Sequence, residues 1–302
     1  MSVRGELVRL GLRAFVKRVY PTVEAARASL RLAQALVPAP PAGTRVSRLD
    51  AFGVPADRVA TPVSLPDRHV LYLHGGGYVS GSPALYRSFT WRIAAAARAQ
   101  VLVPDYRLAP EHPFPAALDD AVAACRWLFA RGADPRRTAV IGDSAGGGLA
   151  LALLLKLRDD GLDRPAAAVV LSPWTDLALT GASIAGCRRR DPMQTVANTH
   201  LFAASYLAGA DPRNPHASPL YGDPAGLPPT LVHVGSDEIL NDDAVRMADR
   251  MRAAGCEVRL QVWPRMPHVW HLFAPVLPEA NAAIRGIAAF TEVTLAGGPQ
   301  PG

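Results

Sequence analysis

The segment Thr138-Ala-Val-Ile-Gly-Asp-Ser-Ala-Gly-Gly147 combines three patterns that together decide the fold. A short apolar run leads into the pattern Gly-x-Ser-x-Gly, and a leucine- and alanine-rich stretch follows through Lys156. This order predicts a buried strand, a tight turn and a helix, with the hydroxyl of Ser144 presented at the carboxyl end of the strand. The small residues around Ser144 permit the strained backbone of such a turn. A glycine-rich turn with a solvated serine is the structural alternative.

The rest of the chain alternates between short apolar runs and helical stretches. With 302 residues, 49% of them hydrophobic, the chain can bury one large core. Strands alternating with helices indicate an α/β fold whose sheet is mostly parallel and covered on both faces. We predict strands at 69–74, 99–104, 138–142, 167–171, 230–235 and 258–263, and helices at 84–98, 115–131, 146–160, 243–254 and 278–294.

Two segments do not follow this alternation and predict a helical cap. Residues 1–44 have helical spacing with a break at Pro21, and residues 177–218 have helical composition and several prolines between two strands. We therefore expect cap helices at 1–44, a first core part at 45–176, a cap insertion at 177–218, a second core part at 219–295 and a disordered tail at 296–302.

A glycine run precedes the serine by one strand–helix unit. His74-Gly75-Gly76-Gly77 follows the strand predicted at 69–74, so it meets Ser144 at the same edge of the sheet. Acyl transfer places negative charge on a carbonyl oxygen, and backbone N–H groups stabilise that charge. We expect Gly75, Gly76 and Ala145 to supply these groups. A purely structural glycine loop is the alternative.

An acid and a base are expected after the serine, in that order. Asp237 directly follows the strand at 230–235 and is the expected acid, with Glu238, Asp242 and Asp243 as competitors. His268 lies in the loop after the next strand and is the expected base. His271 is its rival, and the two histidines could form a metal pair, but no H-E-x-x-H pattern supports this.

Bulk properties exclude several classes of function. The formal net charge is +6, but the basic residues are scattered and only Arg188-Arg189-Arg190 forms a run, so neither a nucleic-acid partner nor stable membrane insertion is expected. Three distant cysteines indicate no disulfide framework and no zinc site. The chain contains no signal-peptide core and no apolar stretch long enough to span a membrane. We expect a cytoplasmic protein without cofactor or metal.

Three motifs together resemble the bacterial hormone-sensitive-lipase family of esterases. They are His74-Gly-Gly-Gly77, Gly142-Asp-Ser-Ala-Gly-Gly147, and Tyr106-Arg-Leu-Ala-Pro-Glu-His-Pro-Phe-Pro-Ala-Ala-Leu-Asp-Asp120. The resemblance covers about residues 45 to 290 and implies an α/β-hydrolase fold with a helical cap. It implies a triad of serine, aspartate and histidine, carried here by Ser144, Asp237 and His268. The family often has Asp-Pro-Leu and His-Gly-Phe where this chain has Asp237-Glu-Ile and His268-Val-Trp.

The expected function is therefore that of a serine carboxylesterase. It would hydrolyse small esters with short- to medium-chain acyl groups through an acyl-enzyme. The resemblance to the family also implies that a homodimer is possible. The candidate walls of the acyl pocket are Tyr78, Phe202, Tyr206 and Trp270. A lactone hydrolase or another acyl hydrolase with the same triad, acting on a thioester or an amide, is one alternative. A non-catalytic small-molecule-binding protein with the hydrolase fold is another.

Overall fold

A computed structural model describes residues 1–35 and 37–296 of the chain. Its strands are β1 (Arg45–Ala51), β2 (Val54–Ala60), β3 (His69–Leu73), β4 (Gln100–Pro104), β5 (Thr138–Asp143), β6 (Ala167–Leu171), β7 (Thr230–Gly235) and β8 (Val258–Trp263). Its α-helices are α1 (Val3–Gly11), α2 (Val23–Ala35), α3 (Pro83–Ala97), α4 (Ala116–Ala130), α5 (Ala145–Asp159), α6 (Ala182–Gly186), α7 (Val196–Leu207), α8 (Asn241–Ala253) and α9 (Pro278–Thr294). The predicted strands and core helices are thus confirmed, with ends shifted by two residues or fewer.

The strands form one sheet in the order β1-β2-β4-β3-β5-β6-β7-β8. Strands β3 to β8 pair in parallel, whereas β2 pairs antiparallel with both β1 and β4. The sequence did not predict β1 and β2 as strands. Most side chains of β1 are exposed, so this edge strand lacks the apolar run that marks the central strands.

Alternate side chains of the central strands enter two hydrophobic layers, as the two-residue period of a strand requires. Leu71 and Leu73 face the layer that contains α4, α5 and α8. Val70 and Tyr72 face the layer that contains α3 and α9. The α/β class with helices on both faces of a mostly parallel sheet is therefore confirmed.

The two segments predicted to form a cap contact one another. Arg13 donates to the carbonyls of Arg189 and Arg190, and Lys17 donates to those of Arg188 and Asp191. The helices α1 and α2 lie within residues 1–44, and α6 and α7 lie within residues 177–218. Residues 297–302 of the predicted tail lie outside the described residues. None of the helices within the described ranges is both long and apolar enough to cross a bilayer.

Candidate active site

Ser144 occupies the sharp turn between β5 and α5. Its φ is 54° and its ψ is −122°, an unfavourable conformation for a residue with a side chain. The chain packs very closely here, because a Cβ on Gly142 would lie 2.1 Å from the carbonyl oxygen of Gly146. A Cβ on Gly146 would lie 2.0 Å from the carbonyl oxygen of Leu73. Both glycines of the Gly-x-Ser-x-Gly pattern are therefore sterically required.

Three side chains from three loops form a continuous hydrogen-bonded line. The Oγ of Ser144 donates to Nε2 of His268 over 2.9 Å, and Nδ1 of His268 donates to Oε2 of Glu238 over 2.7 Å. Glu238 lies in the loop after β7, and His268 lies in the loop after β8. Ser144 keeps 8% of its surface exposed, whereas His268 and Glu238 are buried. The arrangement can move a proton from the hydroxyl to the imidazole.

The acid beside His268 is Glu238, and the expectation of Asp237 is wrong in this respect. The carboxylate of Asp237 points away from His268 and forms an ion pair with Arg9 of α1. The Oε1 of Glu238 accepts hydrogen bonds from the backbone N–H of Gly235 at 2.6 Å and from the hydroxyl of Ser172 at 2.7 Å. The side chains of Asp237 and Glu238 therefore point in different directions, and the longer side chain of Glu238 folds back over the end of β7.

The surroundings of His268 favour its protonated form. Burial lowers the pKa of His268, but the hydrogen bond and charge of Glu238, with the charges of Asp191 and Asp143, outweigh burial, so the pKa lies above that of an ordinary imidazole. Ser172 supports the same histidine loop, because its Oγ accepts from the backbone N–H of Val269 at 3.1 Å. One hydroxyl thus connects the acid to the residue after His268.

The glycine loop supplies backbone N–H groups next to Ser144, but not the expected set. The N–H of Gly75 donates to Oδ1 of Asp143 over 3.0 Å, so this donor is already used and its expected role is wrong. Within residues 1–35 and 37–296, the N–H groups of Gly76, Gly77 and Ala145 have no hydrogen-bond acceptor. The structure therefore leaves the N–H groups of two of the three expected residues, Gly76 and Ala145, without an acceptor and adds that of Gly77.

Asp143 and His74 hold the glycine loop in place. Asp143 accepts from the hydroxyls of Tyr72 at 2.6 Å and Tyr86 at 2.9 Å, and burial raises its pKa to about 6. His74 stacks on Tyr106 with ring centroids 4.3 Å apart, and the hydroxyl of Tyr106 donates to the His74 carbonyl over 2.7 Å. Burial lowers the pKa of His74 to about 4, so its ring is neutral near pH 7.

The rival candidates have other roles in the structure. His271 contacts His233, with 3.0 Å between Nε2 and Nδ1, and burial lowers the pKa of both rings. Asp242 and Asp243 lie in the first turn of α8. Both carboxyl groups accept hydrogen bonds from backbone N–H groups within residues 175–183. Among the residues that the structure describes, no group of three or more His, Cys, Asp or Glu side chains could hold a metal ion.

The candidate wall residues differ in their burial. Tyr78 stacks on Tyr206 with ring centroids 3.9 Å apart, and both are buried in the core, as is Trp270. Phe202 of α7 is half-buried and packs on the glycine loop, because a Cβ on Gly77 would lie 2.5 Å from its ring. Of these four aromatic residues, Phe202 is therefore the one whose side chain is partly exposed and also contacts the glycine loop.

Ser172 and Arg9 are neighbours of the site that were not predicted. Ser172 directly follows β6, and the carboxyl ends of parallel strands are where site residues collect, so a signal was present. Arg9 lies 228 positions before Asp237, and no local pattern connects the two.

Comparison with known proteins places the chain among esterases. Residues 70–272 match a family described as having the alpha/beta hydrolase fold. An acetyl-hydrolase from Streptomyces hygroscopicus is 47% identical over 249 residues, which cover 79% of this chain and 83% of that protein.

Solved structures extend the similarity to nearly the whole chain. An esterase from the bacterial hormone-sensitive lipase family superposes with a TM-score of 0.93 and 44% identity, covering 98% of this chain and 99% of that one. The esterase EstE5, in a crystal soaked with p-nitrophenyl butyrate, superposes with a TM-score of 0.93 and 40% identity, covering 98% of this chain and 100% of that one.

Proposed function

Since this chain belongs to the bacterial hormone-sensitive-lipase family of serine esterases with the α/β-hydrolase fold, we propose that Ser144, His268 and Glu238 are its catalytic triad. The observation that carries this proposal is the unbroken line from the Ser144 hydroxyl through His268 to the buried carboxylate of Glu238. Serine, acid and base follow one another along the chain in the order that this fold requires.

In the first half of the reaction, Ser144 attacks the ester carbonyl carbon. Its proton passes to Nε2 of His268, and the resulting imidazolium is stabilised by Glu238 at Nδ1. The carbonyl oxygen becomes an oxyanion, and we assign its stabilisation to the free N–H groups of Gly76, Gly77 and Ala145. Collapse of the tetrahedral intermediate breaks the bond to the alkoxide, which takes the proton from His268 and leaves an acyl-enzyme.

In the second half, water repeats the same sequence on the acyl-enzyme. His268 accepts a proton from water, hydroxide attacks the acyl carbon, and Ser144 leaves with the proton returned by His268. The imidazole must be neutral at the start of each half. The raised pKa makes His268 a stronger base than an ordinary imidazole, and the neutral form then requires a neutral to alkaline pH.

The proposed substrates are esters with short- to medium-chain acyl groups. Phe202 packs on Gly77 beside the proposed oxyanion donors and narrows the space there for a long acyl chain. The proposed cap comprises residues 1–44 and 177–218, which contact one another and include α7 with Phe202. The similarity to an acetyl-hydrolase supports small acyl groups.

Hydrolysis of p-nitrophenyl esters from acetate to laurate tests this function. We expect Ser144→Ala to abolish turnover, and we expect kcat/KM to be highest for the shorter chains. Ser205→Ala is the matched control, because that hydroxyl donates only to the Leu201 carbonyl within α7. Equal turnover by wild type and Ser144→Ala contradicts the mechanism, and a preference for laurate contradicts the substrate class. A γ-lactone in the same series separates esterase from lactonase activity.

We also propose a cytoplasmic location and a homodimer. Cys125, Cys187 and Cys256 are free thiols, which suits a reducing compartment. Strand β8 ends the sheet with β7 on one side, so its other edge presents backbone hydrogen-bonding groups that a second copy would pair with, and Val262 on this strand is exposed. Cell fractionation and sedimentation velocity test the two proposals.

A further inference from the structure

Helix α1 buries an arginine and exposes its larger apolar side chains. Arg9 is 7% exposed and lies on the buried face with Gly5 and Leu12, whereas Val3 and Leu7 are exposed. Arginine is rarely buried without a partner, because its charge loses hydration. The burial of Arg9 therefore indicates a specific interaction that orients the helix.

Arg9 binds the two loops that carry Glu238 and His268. Its Nη1 forms an ion pair with the carboxylate of Asp237, which immediately precedes Glu238. The same Nη1 donates to the carbonyl of Arg265 over 3.0 Å, three positions before His268. One buried guanidinium thus bridges the loop after β7 and the loop after β8.

Neighbouring contacts strengthen this bridge. Arg265 forms a 3.0 Å ion pair with Glu6 of α1, and its backbone N–H donates to the hydroxyl of Ser236 over 2.8 Å. Arg265 also has a φ of 60°, a left-handed conformation that a non-glycine residue adopts when its surroundings impose it. The conformation of the histidine loop is therefore supported from outside, by α1 and by the Asp237 loop.

We propose that Arg9 is a positioning residue for ester hydrolysis: by neutralising Asp237 and binding the Arg265 carbonyl, it holds Glu238 and His268 at hydrogen-bonding distance. The proposal rests on the assignment of Glu238 and His268 to the triad. It makes docking of the N-terminal helix a requirement for full turnover. Asp237 is then the anchor of α1, one residue away from the catalytic acid.

Loss of Arg9 has a predictable electrostatic consequence. The charged groups that face His268 are Glu238 and Asp191 from two loops and Asp143 from the end of β5, while His271 is neutral. The Asp237 carboxylate lies close to Arg9, Ser236 and the Cys187 thiol. Without Arg9, the unpaired charge of Asp237 adds to this negative field and raises the pKa of His268 further.

Four variants test the proposal in the full-length protein: Arg9→Met, Arg9→Lys, Arg9→Met with Asp237→Asn, and Arg4→Met. The probe is p-nitrophenyl butyrate, with kcat and KM measured from pH 5 to 9 and with thermal unfolding in parallel. Arg4→Met is the matched control, because it removes the same charge from the same helix, whereas Arg4 is exposed and its side chain has no hydrogen bond or ion pair to any described residue. We expect the control to retain wild-type kcat.

Arg9→Met is expected to lower kcat by about 10- to 100-fold with less than about a threefold change in KM, because misplaced catalytic groups slow the chemical step. The acid limb of its pH–rate profile is expected to move to higher pH by about half a unit. Adding Asp237→Asn to Arg9→Met is expected to reverse that shift. Arg9→Lys keeps the charge but has a single ammonium to bridge two acceptors, so kcat falls by about three- to tenfold without a pH shift.

Wild-type kcat in Arg9→Lys overturns the bridging role, even if Arg9→Met does not fold. An acid limb that is unchanged in folded Arg9→Met overturns the electrostatic role. A lower melting temperature with wild-type kcat and pH profile shows that Arg9 is merely structural. Inactive Ser144→Ala together with fully active Arg9→Met refutes this inference alone and leaves the proposed function standing.

Discussion

The identity of the catalytic acid can be decided by exchanging one carboxylate at a time for its amide. In Glu238→Gln, Oε1 still accepts from Gly235 and Ser172, so the amide NH2 faces Nδ1 of His268. An NH2 group donates and cannot accept the Nδ1 proton. Neutral His268 must then carry its proton on Nε2. This nitrogen faces the hydroxyl of Ser144, so it can no longer accept the serine proton.

The wrong tautomer and the lost charge are costly in a serine triad. We expect kcat to fall by about 10³- to 10⁴-fold in Glu238→Gln, by analogy with the amide exchange of a triad acid. This corresponds to about 4–5.5 kcal/mol of transition-state stabilisation. Asp237→Asn keeps an oxygen that accepts from Arg9 and does not touch His268. We therefore expect kcat to fall by about tenfold at most, through weaker positioning by Arg9, together with a loss of stability because one charge of a buried pair is removed.

Initial rates of p-nitrophenyl butyrate hydrolysis, with circular dichroism to establish folding, compare the two variants directly. The structure requires that Glu238→Gln be at least about 100-fold less active than Asp237→Asn. The reverse order would refute the assignment of Glu238 and restore Asp237 as the acid. Similar small losses in both variants would show that neither carboxylate orients His268.

Three further perturbations follow from the geometry. Ser172→Ala removes the hydroxyl between Glu238 and Val269, so kcat should fall about tenfold with the fold intact; wild-type kcat would contradict this support. Protonated His268 cannot accept the serine proton, and its pKa is raised above that of an ordinary imidazole, so kcat/KM should decline as the pH is lowered, with a midpoint above the ordinary imidazole pKa. A midpoint below that ordinary pKa in a pH–rate profile would refute the assigned shift. Gly146→Ala places a Cβ 2.0 Å from the Leu73 carbonyl oxygen, so it should lower the free energy of unfolding by about 3 kcal/mol or prevent folding. Gly186→Ala is the control, because the space around Gly186 is open and its stability should stay close to that of the wild type. Denaturant titration compares the two variants.

Much of the fold could be predicted because the central elements carry strong local patterns. All six residues of β5 are buried, and such a strand appears in the sequence as a continuous apolar run. By contrast, β1 is an exposed edge strand whose pairing with β2 depends on backbone hydrogen bonds rather than on an apolar pattern. The hairpin therefore escaped prediction.

The sequence by itself determined the α/β class, the serine at the strand–helix turn and the histidine loop, because each depends on neighbours within a few positions. Only the tertiary structure decided which carboxylate meets His268 and which glycine N–H is free. Asp237 is drawn to Arg9, 228 positions away, and the N–H of Gly75 is taken by Asp143, 68 positions away. Such contacts depend on how distant loops pack at one edge of the sheet, and local residue patterns do not encode that packing.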